Sequence, residues 1–154
     1  MPNPSSIKIL LLLLVLSLPR FASAEDSAVP VQNDHSGHLV ITHRSVSSQS
    51  LNLSQLRAVF SMQVRQWPNG QPIEVFVLPD DDRVHHEFLK NTLKMLPHQL
   101  RRHWDRYVYS GIGQGPTIVK DQQEMLERVR SVAGAIGYVE RGVPDDQVLS
   151  LDIR

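Results

Sequence analysis

Apolar positions along this chain follow several rhythms, and each implies a different element. The first is an unbroken block, "ILLLLLVLSL" from Ile9 to Leu18, with Lys8 before it and the small-residue site Ala22-Ser23-Ala24 after it. A positive start, an apolar stretch and a small-x-small site describe a secretory signal peptide over residues 1–24. The block is about ten residues long, half of the ~20 that a helical membrane span requires. Residues 25–38 show no period and carry Pro30 and Gly37, which predicts a flexible leader.

From residue 39 onward the rhythm alternates between short β-branched runs and stretches of helical spacing. "LVIT" (Leu39–Thr42), "IEVFVL" (Ile73–Leu78), "AIGYV" (Ala135–Val139) and "VLSLDI" (Val148–Ile153) predict strands. Leu53, Leu56, Val59 and Phe60 share one side of a short helix with Ser54 as its candidate cap. Two further helices are expected over 82–94 and 97–107, the second opening on Pro97, where a missing N–H is harmless. Asp121 with Glu124 forms a capping-box-like start for a helix bearing Met125, Leu126, Val129 and Val132. "RSVSSQSLN", "WPNGQP" and "GIGQGP" are read as loops. Strands that alternate with helices predict one α/β domain over 39–154, a mixed sheet with packed helices.

Composition narrows the function classes. The chain has 16 basic and 16 acidic side chains, and Lys8 and Arg20 leave with the signal, so the remainder is slightly acidic. That is no footprint for a nucleic-acid binder, which would call for a clustered basic surface. Cysteine is absent, which excludes disulfides, thiol catalysis and lipid attachment at a processed N-terminal cysteine. No second long apolar run follows the first, so no membrane insertion is expected after signal cleavage. Export with these features fits a periplasmic location.

Three stretches, in this order, carry a resemblance: "LSQLRAVFSMQVRQWPNG" (Leu53–Gly70), the helix around Phe88, and "VRSVAGAIGYVERG" (Val129–Gly142). Together they resemble the second lobe of periplasmic phosphate-binding proteins of ABC transporters, in the type II periplasmic-binding-protein-like superfamily. The resemblance covers most of 39–153 and implies an exported, non-enzymatic, solute-binding-like protein. Two departures follow from it. Those transport proteins close two lobes around an ion, whereas this chain has length for one. Their phosphate loop, an arginine followed by Ser-Gly-Thr, is absent; its places fall on Leu78 and on Asp82, Arg83 and Val84.

The residues at that place form the run "LPDDDRVHHEF" (Leu78–Phe88). A helix start offers free N–H donors and partial positive charge, which suits an anion. Asp80, Asp81 and Asp82 stand where the anion would sit and can satisfy those donors themselves. A phosphate about 4 Å from one of these carboxylates meets repulsion of roughly 1–4 kcal/mol per charge pair, and Arg83 offsets only part of it. Asp81 and His85, four apart, are weak metal candidates, since one carboxylate and one imidazole fall short of the ligands zinc takes. No metal or cofactor is therefore expected.

Other positions are open to two readings. Gly134 and Gly137 allow a tight helix-to-strand turn and close backbone approach; Tyr138 can present its hydroxyl near the strand edge. Ser110, Gly111, Gly113 and Gln114 are candidate ligand contacts, because amides of glycine loops can point at anions. Arg101, Arg102 and Arg106 in "HQLRRHWDRY" form either a wetted helix face or a contact surface for an acidic partner. No nucleophile elbow is present, so an enzyme is not expected. The first reading is thus a solute-binding-like protein whose ligand is a small polar anion, held by Arg83, Ser110, Gly111, Gly113, Gln114 and Tyr138. The alternative is an envelope protein-interaction module that has lost its ligand.

Overall fold

The computed structural model describes residues 37–143 and 146–154; the stretch expected to be a signal peptide and nearly all of the expected leader lie outside them. Six strands form one mixed sheet: β1 (His38–Thr42), β2 (Ser50–Leu51), β3 (Glu74–Val77), β4 (Thr117–Ile118), β5 (Ala135–Glu140) and β6 (Leu149–Ile153), in the order β2-β6-β1-β5-β3-β4. Strand β1 runs antiparallel to both β5 and β6, with Val40 opposite Tyr138 and Leu151. Strand β5 runs parallel to β3. His38, read from sequence as the end of the leader, is instead the first residue of β1 and pairs with Glu140.

The helices are α1 (Leu53–Phe60), α2 (Arg83–Glu87), α3 (Pro97–Tyr109) and α4 (Gln122–Ser131). Helix α1 is capped by Asn52, not Ser54: the Gln55 N–H donates to the Asn52 side chain, and the Asn52 N–H donates to the Gln55 side chain. The reciprocal cap makes Asn52 the better start, since both of its bonds satisfy otherwise free donors. The helix expected over 82–94 is two pieces, α2 and a π-helical segment, Phe88–Leu93, which ends on Lys94 in a left-handed conformation. At α4 the Glu124 N–H donates to Asp121 as anticipated, while the Glu124 carboxylate accepts from Lys120, one residue further back.

Successive residues of a strand point to opposite faces, and β5 shows what covers each. Gly137 faces Met125 and Val129 of α4. Tyr138 faces the other way, stacked on Phe88 with ring centres 3.8 Å apart and tilted against Phe60 of α1. Helices therefore cover both faces of the central strand, which explains why Ala135–Val139 is buried throughout instead of alternating. Among the described residues, no helix is long and apolar enough to cross a membrane.

Candidate functional site

Strand β3 delivers the chain to the acidic run, and α2 begins directly after it. Asp82 caps α2, accepting from the N–H groups of Val84 at 2.7 Å and His85 at 3.2 Å. The donors that would face an anion at this helix start are thus taken by the protein's own carboxylate. Asp80 forms an ion pair with Arg101 of α3, and Asp81 is exposed in the turn.

Arg83 points away from this seat. Its guanidinium donates to Glu87 at 2.9 Å and to Glu140 at 2.6 Å, and those bonds raise its pKa and lower that of Glu140. It lines a cavity with His38, Glu87, Asn91 and Glu140.

Beneath the run, Tyr138 and His85 make a buried polar pair, 0% and 2% exposed. The Leu78 N–H donates to the Tyr138 oxygen at 2.9 Å, and that oxygen lies 2.5 Å from His85 Nδ1. The hydroxyl and Nδ1 are both satisfied if the hydroxyl donates to a neutral imidazole, whose Nε2–H then faces Asp80 Oδ1 across 4.0 Å, too far for a direct hydrogen bond. The Leu78 N–H, at the start of the acidic run, is thus also consumed internally. Tyr138 does not reach a strand edge as anticipated; its hydroxyl lies in the core because both faces of β5 are covered.

Burial lowers the His85 pKa from its usual 6.5, with the Asp80 carboxylate opposing and His86 and Arg101 assisting. Burial also lowers that of His38, opposed by Glu87 and Glu140. The unfolded chain binds protons near pH 6.5, whereas the fold resists them until lower pH, so stability is full above that range and declines as pH falls through it. The thermal midpoint is expected to drop between about pH 7 and about pH 5; a flat calorimetric profile over that interval contradicts the assignment.

Ser110 caps the end of α3 and lines a different cleft, with Met62, Arg65, Arg106, Tyr107 and Ile112. Arg83 does not line that cleft, so the structure does not bring Arg83 and Ser110 into one cavity. Gly111 adopts a left-handed turn. Gly113 packs closely against the Tyr107 ring, and Gln114 is exposed. Among the described residues, no group of three or more His, Cys, Asp or Glu side chains is placed to hold a metal ion; His85 Nδ1 already faces Tyr138.

The structure also reveals a basic cleft that the sequence only hinted at. Arg57 of α1, Lys94, and Gln99, Arg102, His103 and Arg106 of α3 line an open cavity of about 580 Å³. The Arg57 guanidinium donates to the carbonyls of Leu93 and Lys94, which ties α1 to the end of the π segment. Among the described residues, no acidic side chain lines the cavity.

This fold is shared with phosphate ABC transporter substrate-binding proteins. The chain superposes on a putative phosphate ABC transporter substrate-binding protein from Clostridium perfringens, with bound phosphate, at a TM-score of 0.63 and 19% identity, over 77% of this chain and 45% of that one. An ABC-type phosphate transport receptor from Vibrio cholerae gives 0.60 and 15%, over 77% and 46%. PstS from Borrelia burgdorferi gives 0.60 and 12%, over 77% and 47%. The chain thus spans a little under half the length of these proteins and has the α/β fold of a single lobe. No family model matches the sequence, and neither does any curated protein.

Proposed function

We propose that this protein is an exported, non-enzymatic lobe of the binding-protein fold that works by contacting other proteins of the cell envelope. One observation carries the reading: the helix-start donors at Val84 and His85 are held by Asp82, and the Leu78 N–H by Tyr138. An incoming oxyanion must displace those bonds and approach Asp80, Asp81 and Asp82.

The second reading, a small-anion carrier, draws support from the phosphate bound in the Clostridium protein of similar fold. Thermal shift separates the two. A ligand that binds the native state raises the melting temperature by mass action. Millimolar phosphate, sulfate and carboxylates are expected to leave the midpoint unchanged; a dose-dependent rise with one of them favours the carrier.

A further inference from the structure

Helix α3 presents two faces of opposite character. On one side Arg101 is neutralised by Asp80 and lies over the Trp104 ring. On the other, Gln99, Arg102, His103, Arg106, Tyr107 and Ser110 recur at spacings of three and four, the repeat that puts side chains on one helical face. This face borders the basic cavity and, continuing past His103 and Arg106, the cleft at Arg65 and Ile112. The two clefts share Ser61, Gln63, His103 and Arg106, so they form one groove along the helix.

Arg57, Lys94, Arg102, Arg106 and Arg65 bring five positive charges to that groove, and among the described residues no carboxylate lines either half. Arg102 and Arg106 are four apart on one helix, where like charges repel and weaken the helix. Among the described residues, Arg83, Arg101 and Arg128 have carboxylate partners, whereas no ion pair joins a carboxylate to this row.

We propose that the groove receives a short, extended, acidic segment of a partner protein. The inference rests on the interaction reading above and names the chemistry of the contact. The face runs most of the length of α3, about 20 Å at 1.5 Å per residue, which matches about six residues of extended chain. Arg57, Lys94, Arg102 and Arg106 line the first half and Arg65 carries the positive charge on into the second, which suits a row of carboxylates better than a single small ion. A nucleic-acid strand is disfavoured because Tyr107, the aromatic ring lining the groove, has the Arg65 guanidinium 5.7 Å from its centre, so no bare platform remains for a base.

The test uses a fluorescein-labelled octaglutamate peptide and fluorescence anisotropy on the full chain. Saturable binding is expected at about 20 mM salt, weakening at about 300 mM as screening shortens the reach of the charges. The double variant Arg102→Glu/Arg106→Glu is expected to weaken binding at least tenfold. Lys94→Glu, on a separate segment, is expected to weaken it severalfold, so a folding defect in α3 alone cannot explain the result. Lys120→Glu, which lies outside the groove, should bind as wild type does.

Absence of saturable binding at low salt overturns the proposal. So does equal loss in Lys120→Glu, displacement by millimolar inorganic phosphate, or tighter binding of an oligothymidylate of equal charge. Those failures, with thermal shift still flat toward small anions, would remove this groove and leave the interaction reading in place. A phosphate-induced rise in melting temperature would remove the reading itself.

Discussion

Gly134→Ala is expected to abolish cooperative folding or to lower stability by about 4 kcal/mol or more, a large share of the roughly 5–15 kcal/mol that holds a domain together. Gly134 has φ +79°, and an added Cβ would lie 2.2 Å from the Pro72 carbonyl oxygen. The left-handed conformation alone costs alanine about 1–2 kcal/mol; the clash then forces the turn away from the loop beneath it. That movement breaks further bonds, because the Gly134 carbonyl accepts from Trp67 Nε1 at 2.9 Å and from the Glu74 N–H. Gly70→Ala is the control. Gly70 has φ +83° but open space around the added carbon, so it should lose only about 1–2 kcal/mol. Urea unfolding of both variants checks the claim; equal losses would show that close approach at Gly134 does not matter.

The second large effect is expected at Tyr138→Phe, a loss of about 2–4 kcal/mol. Phenylalanine keeps the ring stacked on Phe88 and removes only the hydroxyl. The Leu78 N–H then loses its acceptor and His85 Nδ1 its partner, both in the core, and an unpaired buried polar group costs about 1–3 kcal/mol. A substitution within about 0.5 kcal/mol of wild type would mean that water or a changed histidine tautomer replaces the hydroxyl without cost. Chemical denaturation decides between them.

The parts of the fold visible in sequence are those set by local pattern. Short β-branched and apolar runs located β1, β3, β5 and β6, and the glycines of "GAIGYV" announced the tight turn that Gly134 makes. Trp67, in the loop-forming stretch "WPNGQP", is buried and its indole N–H donates to that turn. Other features depend on residues far apart in the chain. The two-residue strands β2 and β4 exist because β6 and β3 offer them edges; their own residues carry no strand rhythm. The π segment adds a residue to a helical turn to seat Phe88 against Tyr138, and nothing in residues 82–94 alone requires it. Asn52 was legible in retrospect, since Asn-x-x-Gln is a capping box as much as a serine start is.

The candidate site divides in the same way. The crowding of Asp80, Asp81 and Asp82 at the helix start could be read from the run itself, and Asp82 does cap α2. The Tyr138 hydroxyl bond to Leu78 spans 60 residues and had no local signal. Of the three arginines in "HQLRRHWDRY", sequence could not tell which was neutralised. The fold assigns Arg101 to Asp80 and leaves Arg102 and Arg106 facing the groove, because successive helix residues lie about 100° apart.

The central claim is that side chains of this protein already hold the donors an oxyanion would use. Amide NMR during a phosphate titration addresses it directly, since each backbone N–H reports its own acceptor. The peaks of Leu78, Val84 and His85 are expected to stay in place through millimolar phosphate at constant ionic strength. Saturable, concerted movement of Val84 and His85 would show phosphate displacing Asp82, and the account would be wrong.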